Sequence, residues 1–328
     1  MKAFDYTAPA SVNQAQMILS QYAGDAKILG GGTDLIVTLK AGIDSPKMLV
    51  SLKNIQELKS MHFDGQVGLV IGAAVTLSQI KDSCLVQDKL PILATAAGSV
   101  ASYEIRNRAT IGGNIALNSR CWYYDQSTYW RKSYPDCRKL GGDTCYIAKA
   151  GTSCYALFTA DLVPALVALD ARVRIAGTQR HETMAISNLY TGTGEPVNVL
   201  GPDQIITEIT VPYLPRRFTY YRKFQHRPTI DFAMLTLAVS AVKASSHLLE
   251  DVKIVLGGVG SGPLRAGEAE KLWQAMVQEG SVDSEQVATV ASKETRVFNT
   301  FNGSADYKKK VIQVLVGEAV REIMANIA

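Results

Sequence analysis

A short predicted strand runs directly into three glycines, in the sequence Lys27-Ile28-Leu29-Gly30-Gly31-Gly32-Thr33-Asp34-Leu35. Successive glycines let the backbone adopt positive φ angles and come close to a ligand. Backbone N–H groups in such a turn, with a helix N-terminus behind them, suit a phosphate or pyrophosphate, and Thr33 adds a hydroxyl. A tight turn that needs glycine only for its geometry is an equally good interpretation. The segment has neither the G-x-G-x-x-G pattern nor a Walker lysine, so it supports neither a Rossmann site nor a P-loop.

A second glycine pair follows an apolar predicted helix, in the sequence Thr110-Ile111-Gly112-Gly113-Asn114. The flanking threonine and asparagine offer two hydrogen-bonding side chains beside open backbone. A turn is again the alternative interpretation. Two such loops in one chain support a dinucleotide-binding site more strongly than either loop alone. A dinucleotide has two phosphates and a sugar, and it can lie across both loops.

Strand and helix patterns are mixed along the whole chain and indicate an α+β fold with three subdomains, 1–57, 58–215 and 216–328. The apolar stretch 232–242 predicts a buried strand or helix, and strands are also predicted at 48–52, 67–73 and 171–175. Helices are predicted at 35–40, at about 265–279 and at about 305–326.

Composition limits the classes of function. The 328 residues are 47% hydrophobic and 20% charged, with a formal net charge of +4. This is ordinary for a globular protein and too balanced to indicate nucleic-acid binding, although it is compatible with an anionic cofactor. The N-terminus lacks an apolar signal-peptide core, and no apolar run is long enough for a membrane span. We therefore expect no membrane partner and a cytoplasmic location, where thiols stay reduced.

Four of the five cysteines fall within one stretch, at Cys121, Cys137, Cys145 and Cys154, with the spacing C-x15-C-x7-C-x8-C. Such crowding disfavours four unrelated buried thiols. Structural zinc sites usually carry paired C-x2–4-C ligands, which are missing here, and two disulfides conflict with a reducing compartment. An iron–sulfur centre ligated by four cysteines is a further candidate, and the spacing alone leaves these alternatives open. Cys84 lies outside the stretch and is interpreted as an ordinary free thiol.

The glycine loops and several later motifs together resemble the flavin-binding subunit of the xanthine dehydrogenase and carbon monoxide dehydrogenase group. The first loop resembles that group's pyrophosphate loop, and Arg106 to Asn114 resembles its second loop, R-N-x-A-T-I-G-G-N. Further matching motifs occur in the expected order, at 161–166, 203–208, 221–223, 257–259 and 263–266. The resemblance spans about residues 2–270, and the ordered set is far more specific than any single loop.

This resemblance implies a two-subdomain FAD-binding fold of the PCMH/vanillyl-alcohol-oxidase-like type, followed by a C-terminal α+β domain like that of the carbon monoxide dehydrogenase flavoprotein. FAD would lie in the cleft between the first two subdomains, with the third closing over the isoalloxazine. No histidine lies near the first loop, which fits non-covalent binding. By analogy, the cofactor-binding residues are Ile28, Leu29, Gly30, Gly31, Gly32, Thr33, Asp34, Leu35, Thr110, Ile111, Gly112, Gly113, Asn114, Asp161, Ile206 and Lys223.

Lys223 has a more specific implied role. By analogy it lies near the flavin ring, where a cation could stabilise an anionic reduced flavin. A solvated lysine at the edge of a strand is the alternative interpretation.

The segment at about 118–157 looks like an insertion, because plain members of the group pass more directly from the second loop to the region of Asp161. With Arg120-Cys121 and Tyr129-Trp130-Arg131, this segment is similar to the β subunit of 4-hydroxybenzoyl-CoA reductase. Members of that family carry a [4Fe–4S] cluster in the flavin subunit, so the resemblance implies that the four clustered cysteines ligate one. A periplasmic aldehyde oxidoreductase branch also carries such a cluster, so the insertion does not fix the substrate.

The resemblance therefore implies an electron-transfer subunit that holds FAD and a [4Fe–4S] cluster and has no catalytic residue of its own. Its implied partners are a molybdopterin-binding large subunit and a [2Fe–2S] small subunit, in a dimer of heterotrimers, with electrons entering from reduced ferredoxin. A flavin subunit of an aldehyde or N-heterocycle hydroxylase, passing electrons from FAD to NAD or another acceptor, is the first alternative. A binding or assembly protein without redox function is the alternative from another class.

Overall fold

The computed structural model describes residues 1–178, 181–245, 248–300 and 303–327. Twelve β-strands occur within these ranges, and they are, in chain order, β1 (Asp5–Thr7), β2 (Ala26–Leu29), β3 (Met48–Ser51), β4 (Met61–Asp64), β5 (Gly68–Gly72), β6 (Arg172–Ala176), β7 (His181–Ala185), β8 (Ile205–Val211), β9 (Arg217–Phe224), β10 (Leu235–Ser245), β11 (Leu248–Gly257) and β12 (Leu264–Arg265). Twelve α-helices occur within the same ranges, namely α1 (Val12–Gln21), α2 (Leu35–Lys40), α3 (Leu77–Asp82), α4 (Cys84–Lys89), α5 (Pro91–Gly98), α6 (Tyr103–Arg106), α7 (Ile111–Ile115), α8 (Thr128–Arg131), α9 (Val163–Ala168), α10 (Gly267–Gln278), α11 (Ser284–Glu294) and α12 (Ala305–Ile327). Among the described helices, none combines the length and the apolar character needed to cross a lipid bilayer.

The N-terminal lobe positions the first glycine loop. β1, β3 and β2 form a parallel sheet in that spatial order, and α1 shares a buried core with it through Ala15, Leu19 and Val50. The loop leaves the sheet at the carboxyl end of β2 and leads into α2, whose bounds confirm the predicted helix. In α/β units, ligands bind in the crevice outside the carboxyl ends of the strands. The first loop therefore lies where a ligand would be expected.

The second lobe is built on an antiparallel sheet with the strand order β4-β5-β8-β6-β7. Every residue of β5 is buried, and α3, α5 and α9 share one apolar core with β5, β6 and β8. The strands predicted at 67–73 and 171–175 are confirmed by β5 and β6. The second glycine pair lies in α7, a short helix that contributes Ile111 and Ile115 to the same core.

The C-terminal sheet is antiparallel, with the order β12-β11-β10-β9, and three long helices cover it. Leu237 and Val239 of β10 face the core formed with α10, α11 and α12, whereas Ala238 belongs to the core of the second lobe. Alternate residues of a strand point to opposite faces, so β10 is buried on both sides over 235–241, which explains the mainly apolar sequence there. The predicted helices near 265–279 and 305–326 are confirmed, whereas α11 was not predicted.

The cysteine-rich segment is closed at its base by an antiparallel bridge between Arg120 and Leu157. Their backbones exchange two hydrogen bonds of 2.7 and 2.8 Å. The bridge lies beside the ends of the segment interpreted as an insertion. Between these ends the chain contacts the N-terminal lobe, where the side chains of Thr128 and Arg131 donate to the carbonyl of Gly42 at 3.1 and 3.3 Å.

Candidate functional site

A cleft of about 630 Å³ lies between the two N-terminal lobes and the loop 227–232. Its volume is within the range of small-molecule and cofactor sites, roughly 300–1,000 Å³. The predicted site residues that line it are Ile28, Gly30, Gly31, Gly32, Thr33, Asp34, Leu35, Thr110, Gly112, Gly113, Asn114, Asp161 and Ile206. Leu29, Ile111 and Lys223 are not among the lining residues. A second depression, between α5, β9 and α12, has a volume of about 740 Å³ and contains none of the predicted residues.

The two glycine loops pack directly against each other. A Cβ atom on Gly31 would lie 1.9 Å from the carbonyl oxygen of Arg108, and one on Gly30 would lie 2.9 Å from Oγ1 of Thr110. Gly32 adopts a φ of +77°, in the left-handed region that favours glycine. Close approach therefore requires glycine at position 31, and backbone conformation favours it at position 32.

Backbone hydrogen bonds distinguish the two loops. In the second loop, the N–H of Gly112 donates to the carbonyl of Ala73 at 2.9 Å, and the N–H of Gly113 donates to Oγ1 of Thr110 at 3.1 Å. The prediction that this loop has backbone N–H groups free to bind a ligand is therefore wrong for both glycines. The N–H of Gly112 is used in the contact with residue 73, and that of Gly113 is used in the cap of α7. In the first loop, the N–H groups of residues 30–33 donate no hydrogen bond within the described parts of the chain.

An ion pair ties the first loop to the base of the cysteine-rich segment. The guanidinium of Arg120 contacts the carboxylate of Asp34, and its carbon lies 5.1 Å from the ring centroid of Phe232. All three side chains line the cleft. Arg120 therefore joins the N-terminal lobe, the second lobe and the C-terminal part of the chain at the cleft wall.

Asp161 and Lys223 form a buried pair behind the cleft. Lys223 Nζ donates to Oδ2 of Asp161 at 2.7 Å and to the carbonyls of Ser99 and Asp231 at 3.0 and 2.9 Å. Its side chain is 4% exposed, so the interpretation of Lys223 as a solvated strand-edge lysine is wrong. Burial raises the pKa of Asp161 to about 6, against the opposing effect of the Lys223 charge. The lysine thus holds the aspartate in place, and the aspartate faces the cleft.

Several buried polar atoms in the cleft have no partner. Oδ1 of Asn114, Oγ1 of Thr159 and Oδ1 of Asp161 are buried without a hydrogen bond in the described part of the chain, and all three residues line the cleft. Native proteins rarely leave such groups unsatisfied, so these atoms indicate that a polar ligand belongs here. Thr159 was not predicted as a site residue. The available signal was its position two residues before Asp161 in the sequence.

The four clustered cysteines are free thiols, and three of them are buried. Cys137, Cys145 and Cys154 are buried and Cys121 is partly buried. Burial raises the pKa of Cys121 to about 11, and the charges of Cys137 and Cys154 contribute in the same direction. Burial also raises the pKa of Cys154. Among the described residues, however, no group of three or more His, Cys, Asp or Glu side chains is arranged to hold a metal ion.

Two sequence families match consecutive parts of the chain. Residues 2–214 match the FAD binding domain in molybdopterin dehydrogenase, and residues 219–323 match the CO dehydrogenase flavoprotein C-terminal domain. These matches confirm the predicted fold class.

Curated relatives cover almost the whole chain. The carbon monoxide dehydrogenase medium chain of Hydrogenophaga pseudoflava is 28% identical, with 99% of this chain and 98% of the relative covered. The nicotine 6-hydroxylase medium subunit of Paenarthrobacter nicotinovorans is 27% identical, with 99% of both chains covered. The aldehyde oxidoreductase FAD-binding subunit of Escherichia coli is 28% identical, with 82% of this chain and 86% of the relative covered.

Solved structures extend the similarity to three dimensions. A chain of the carbon monoxide dehydrogenase from Hydrogenophaga pseudoflava superimposes with a TM-score of 0.79 at 27% identity, with 100% of this chain and 99% of that chain covered. A chain of quinoline 2-oxidoreductase from Pseudomonas putida 86 reaches a TM-score of 0.78 at 20% identity, with the same coverage, and supports the fold alone.

Proposed function

Since the chain belongs to the family of FAD-binding subunits of molybdopterin-dependent hydroxylases and dehydrogenases, we propose that its cleft binds FAD non-covalently for electron transfer within such a complex. The observation that carries this proposal is that unused N–H groups at 30–33 and unpartnered buried oxygens occur in one cleft. Bound FAD would supply a group that accepts and donates one or two electrons.

The cleft residues divide into donors and acceptors. The N–H groups of residues 30–33 would bind the diphosphate, because successive backbone N–H groups in a glycine turn suit an anion. The buried side-chain oxygens of Asn114 and Thr159 would accept hydrogen bonds from hydroxyl or ring N–H groups of the cofactor. Leu29 and Ile111 lie behind the lining and would support the two loops from within the fold.

Lys223 would act on the flavin through Asp161. The ammonium is fully engaged by three acceptors, and one of these is the carboxylate that faces the cleft. Its charge would favour added negative charge on the flavin, since the pair is buried and weakly screened. A Lys223→Ala variant with an unchanged flavin reduction potential would refute this role.

We further propose that Cys121, Cys137, Cys145 and Cys154 ligate a [4Fe–4S] cluster. The burial of three of these free thiols within one short segment supports a shared centre. A cluster ligated by four cysteines also suits a redox flavoprotein, and zinc sites usually carry paired C-x2–4-C ligands, which this spacing lacks.

The complex that this subunit would serve is proposed to be a 4-hydroxybenzoyl-CoA reductase. A molybdopterin-binding large subunit and a [2Fe–2S] small subunit would be its partners, in a dimer of heterotrimers, and reduced ferredoxin would supply the electrons. The cysteine-rich segment supports this choice, because it is the feature that resembles the β subunit of that family. We also propose 1–57, 58–215 and 216–328 as the domain limits, supported by the three separate sheets.

An aldehyde or N-heterocycle hydroxylase is the second candidate. It is favoured by the relatives themselves, which include a nicotine 6-hydroxylase subunit and an aldehyde oxidoreductase subunit. In that case electrons would leave through FAD to NAD or another acceptor. Reduction of the flavin by NADH in a titration would favour this candidate, and reduction by ferredoxin alone would favour the reductase.

The first experiment is cofactor analysis of protein purified without oxygen. FAD, iron and acid-labile sulfide would be measured per chain together with the visible spectrum. One FAD with about four irons and four sulfides is the expected result. FAD without iron would leave the flavoprotein proposal standing and refute the cluster. Protein without flavin, iron or sulfide at high purity would refute both proposals and favour a binding or assembly role.

A further inference from the structure

Lys139 is a buried cation between the cysteine-rich segment and the cofactor cleft. Its side chain is 1% exposed. The ammonium donates to Oδ1 of Asn118 at 2.8 Å, to Oγ of Ser119 at 2.8 Å and to the carbonyl of Gly194 at 2.5 Å. Burial of the ammonium is therefore offset by several short hydrogen bonds.

These partners belong to two different sites. Asn118 and Ser119 line the cleft. Gly194 lies against Cys154, since a Cβ atom on Gly194 would be 2.6 Å from Sγ of that cysteine. The N–H of Gly194 also donates to the carbonyl of Cys154 at 2.8 Å. The ammonium of Lys139 thus donates hydrogen bonds both to two residues of the cleft wall and to a residue that packs against the sulfur of Cys154.

The charge of Lys139 is only partly neutralised by its carboxylate partner. Among its hydrogen-bond partners in the described residues, Glu195 is the one carboxylate, at 3.3 Å, and its side chain is 46% exposed. The ring centroid of Tyr124 lies 5.2 Å from Nζ, and the partly buried carboxyl of Asp125 is near enough to feel the charge. A buried cation usually requires a close counter-charge. Thiolates at the four cysteines would supply negative charge beside it.

We propose that Lys139 is a positioning residue that couples the four-cysteine centre to the cofactor cleft and provides that centre with a buried positive charge. This inference rests on the proposed function, because the charge acts on the metal centre proposed there. Two consequences follow from the geometry. Loss of the ammonium disfavours the more negative, reduced centre, and loss of its hydrogen bonds releases Asn118 and Ser119 at the cleft wall.

The test uses the full-length protein with Lys139→Met, Lys139→Gln and Lys139→Arg. Lys132→Met is the matched control, because Lys132 is an exposed lysine of the same segment. The reduction potential of the iron–sulfur signal would be followed by EPR during a redox titration, with iron per chain measured in parallel. FAD affinity would be measured by flavin fluorescence.

We expect Lys139→Met to retain iron, to shift the potential to a more negative value and to weaken FAD binding by about tenfold, as for the loss of hydrogen bonds to a charged group. Lys139→Gln keeps two donors without the charge, so it should lower the potential with a smaller loss of FAD affinity. Lys139→Arg should restore both quantities toward wild type, and the control should change neither.

A potential and an FAD affinity that are both unchanged in Lys139→Met and Lys139→Gln would overturn the inference. Should Lys139→Met fail to fold, the comparison of Lys139→Gln with Lys139→Arg decides the effect of the charge. A wild-type protein without iron would refute the proposed cluster and, with it, the charge effect. The coupling would then be judged on FAD affinity alone, and an unchanged affinity in the variants would refute it.

Discussion

Lys223 Nζ lies 2.7 Å from Oδ2 of Asp161, although 62 positions separate the two residues in sequence, and both side chains are almost completely buried. The second oxygen of the carboxylate has no partner in the described structure, and Asp161 lines the cleft. Oδ1 of Asp161 is therefore available to accept a hydrogen bond from a ligand, while the ammonium of Lys223 balances the carboxylate charge on the side away from the cleft. This arrangement makes both stability and ligand binding sensitive to pH.

The first prediction concerns the stability of the FAD-free protein. Burial raises the pKa of Asp161 from 3.8 to about 6 on folding. The stabilising contribution of this carboxyl is therefore fully present below about pH 4 and is lost as the pH rises through 6. The difference in unfolding free energy between wild type and Asp161→Asn should change by about 3 kcal/mol over this window. Urea unfolding at several pH values would measure it, and parallel pH profiles for the two proteins would contradict it.

The second prediction concerns Lys223→Met. Above pH 7 this change leaves an ionised carboxylate buried without its counter-charge, and we expect a destabilisation of about 3–5 kcal/mol. At pH 5 the carboxyl is largely protonated, so the loss should be much smaller. Unfolding by urea at pH 8 and pH 5 would test this. Lys47→Met is the control, because the pair of Lys47 with Asp25 is exposed and its removal should change little.

The third prediction concerns the contact between the glycine loops. Gly31→Ala would place a Cβ atom 1.9 Å from the carbonyl oxygen of Arg108, so the loops must separate. We expect FAD affinity to fall by about tenfold or more, because the first loop would lose its position relative to the second. Gly65→Ala is the matched control, since a Cβ atom there meets nothing within 4 Å. Equal FAD affinities for the two variants would argue against a role of this contact in binding.

The fourth prediction separates the two proposed cofactors. Gly194→Ala would place a Cβ atom 2.6 Å from Sγ of Cys154 and should displace that sulfur. We expect a loss of most of the iron with retention of FAD. Gly260→Ala, where a Cβ atom meets nothing within 4 Å, should retain both. A Gly194→Ala protein with full iron content would show that Cys154 can move without harm or does not bind metal.

The sequence predicted those features that depend on local chemistry. The turn at residues 30–32 and the helix α2 that follows it were identified, because glycine and periodic apolar residues act over a few positions. The burial of Lys223 was not, since nothing near it in sequence indicates that it meets a carboxylate across the fold. The spacing of the four cysteines located a candidate centre but gave no information on how closely the sulfurs approach.

Two local assignments also failed for identifiable reasons. Glycine has a low helix propensity, so a helix over 111–115 was not expected; contacts with Ala73 and the cap at Thr110 stabilise α7. The start of α11 carried a usable signal, because Asp283 caps it by accepting from the N–H groups of Glu285 and Gln286. A capping residue before a short amphipathic stretch is thus the sequence signal for α11.

The two hydrogen bonds between Arg120 and Leu157 hold the ends of the cysteine-rich segment side by side. When the ends of a segment meet, its length has little effect on the host chain, since each doubling adds only about 0.6 kcal/mol of closure entropy. The closure entropy of the segment therefore contributes little to the stability of the host fold, and its removal would act mainly through the lost contacts of Lys139, Thr128 and Arg131. Exchange of everything between these two residues for a short turn would keep the two chain ends side by side, but it would remove the hydrogen bonds that Lys139 donates to the cleft wall.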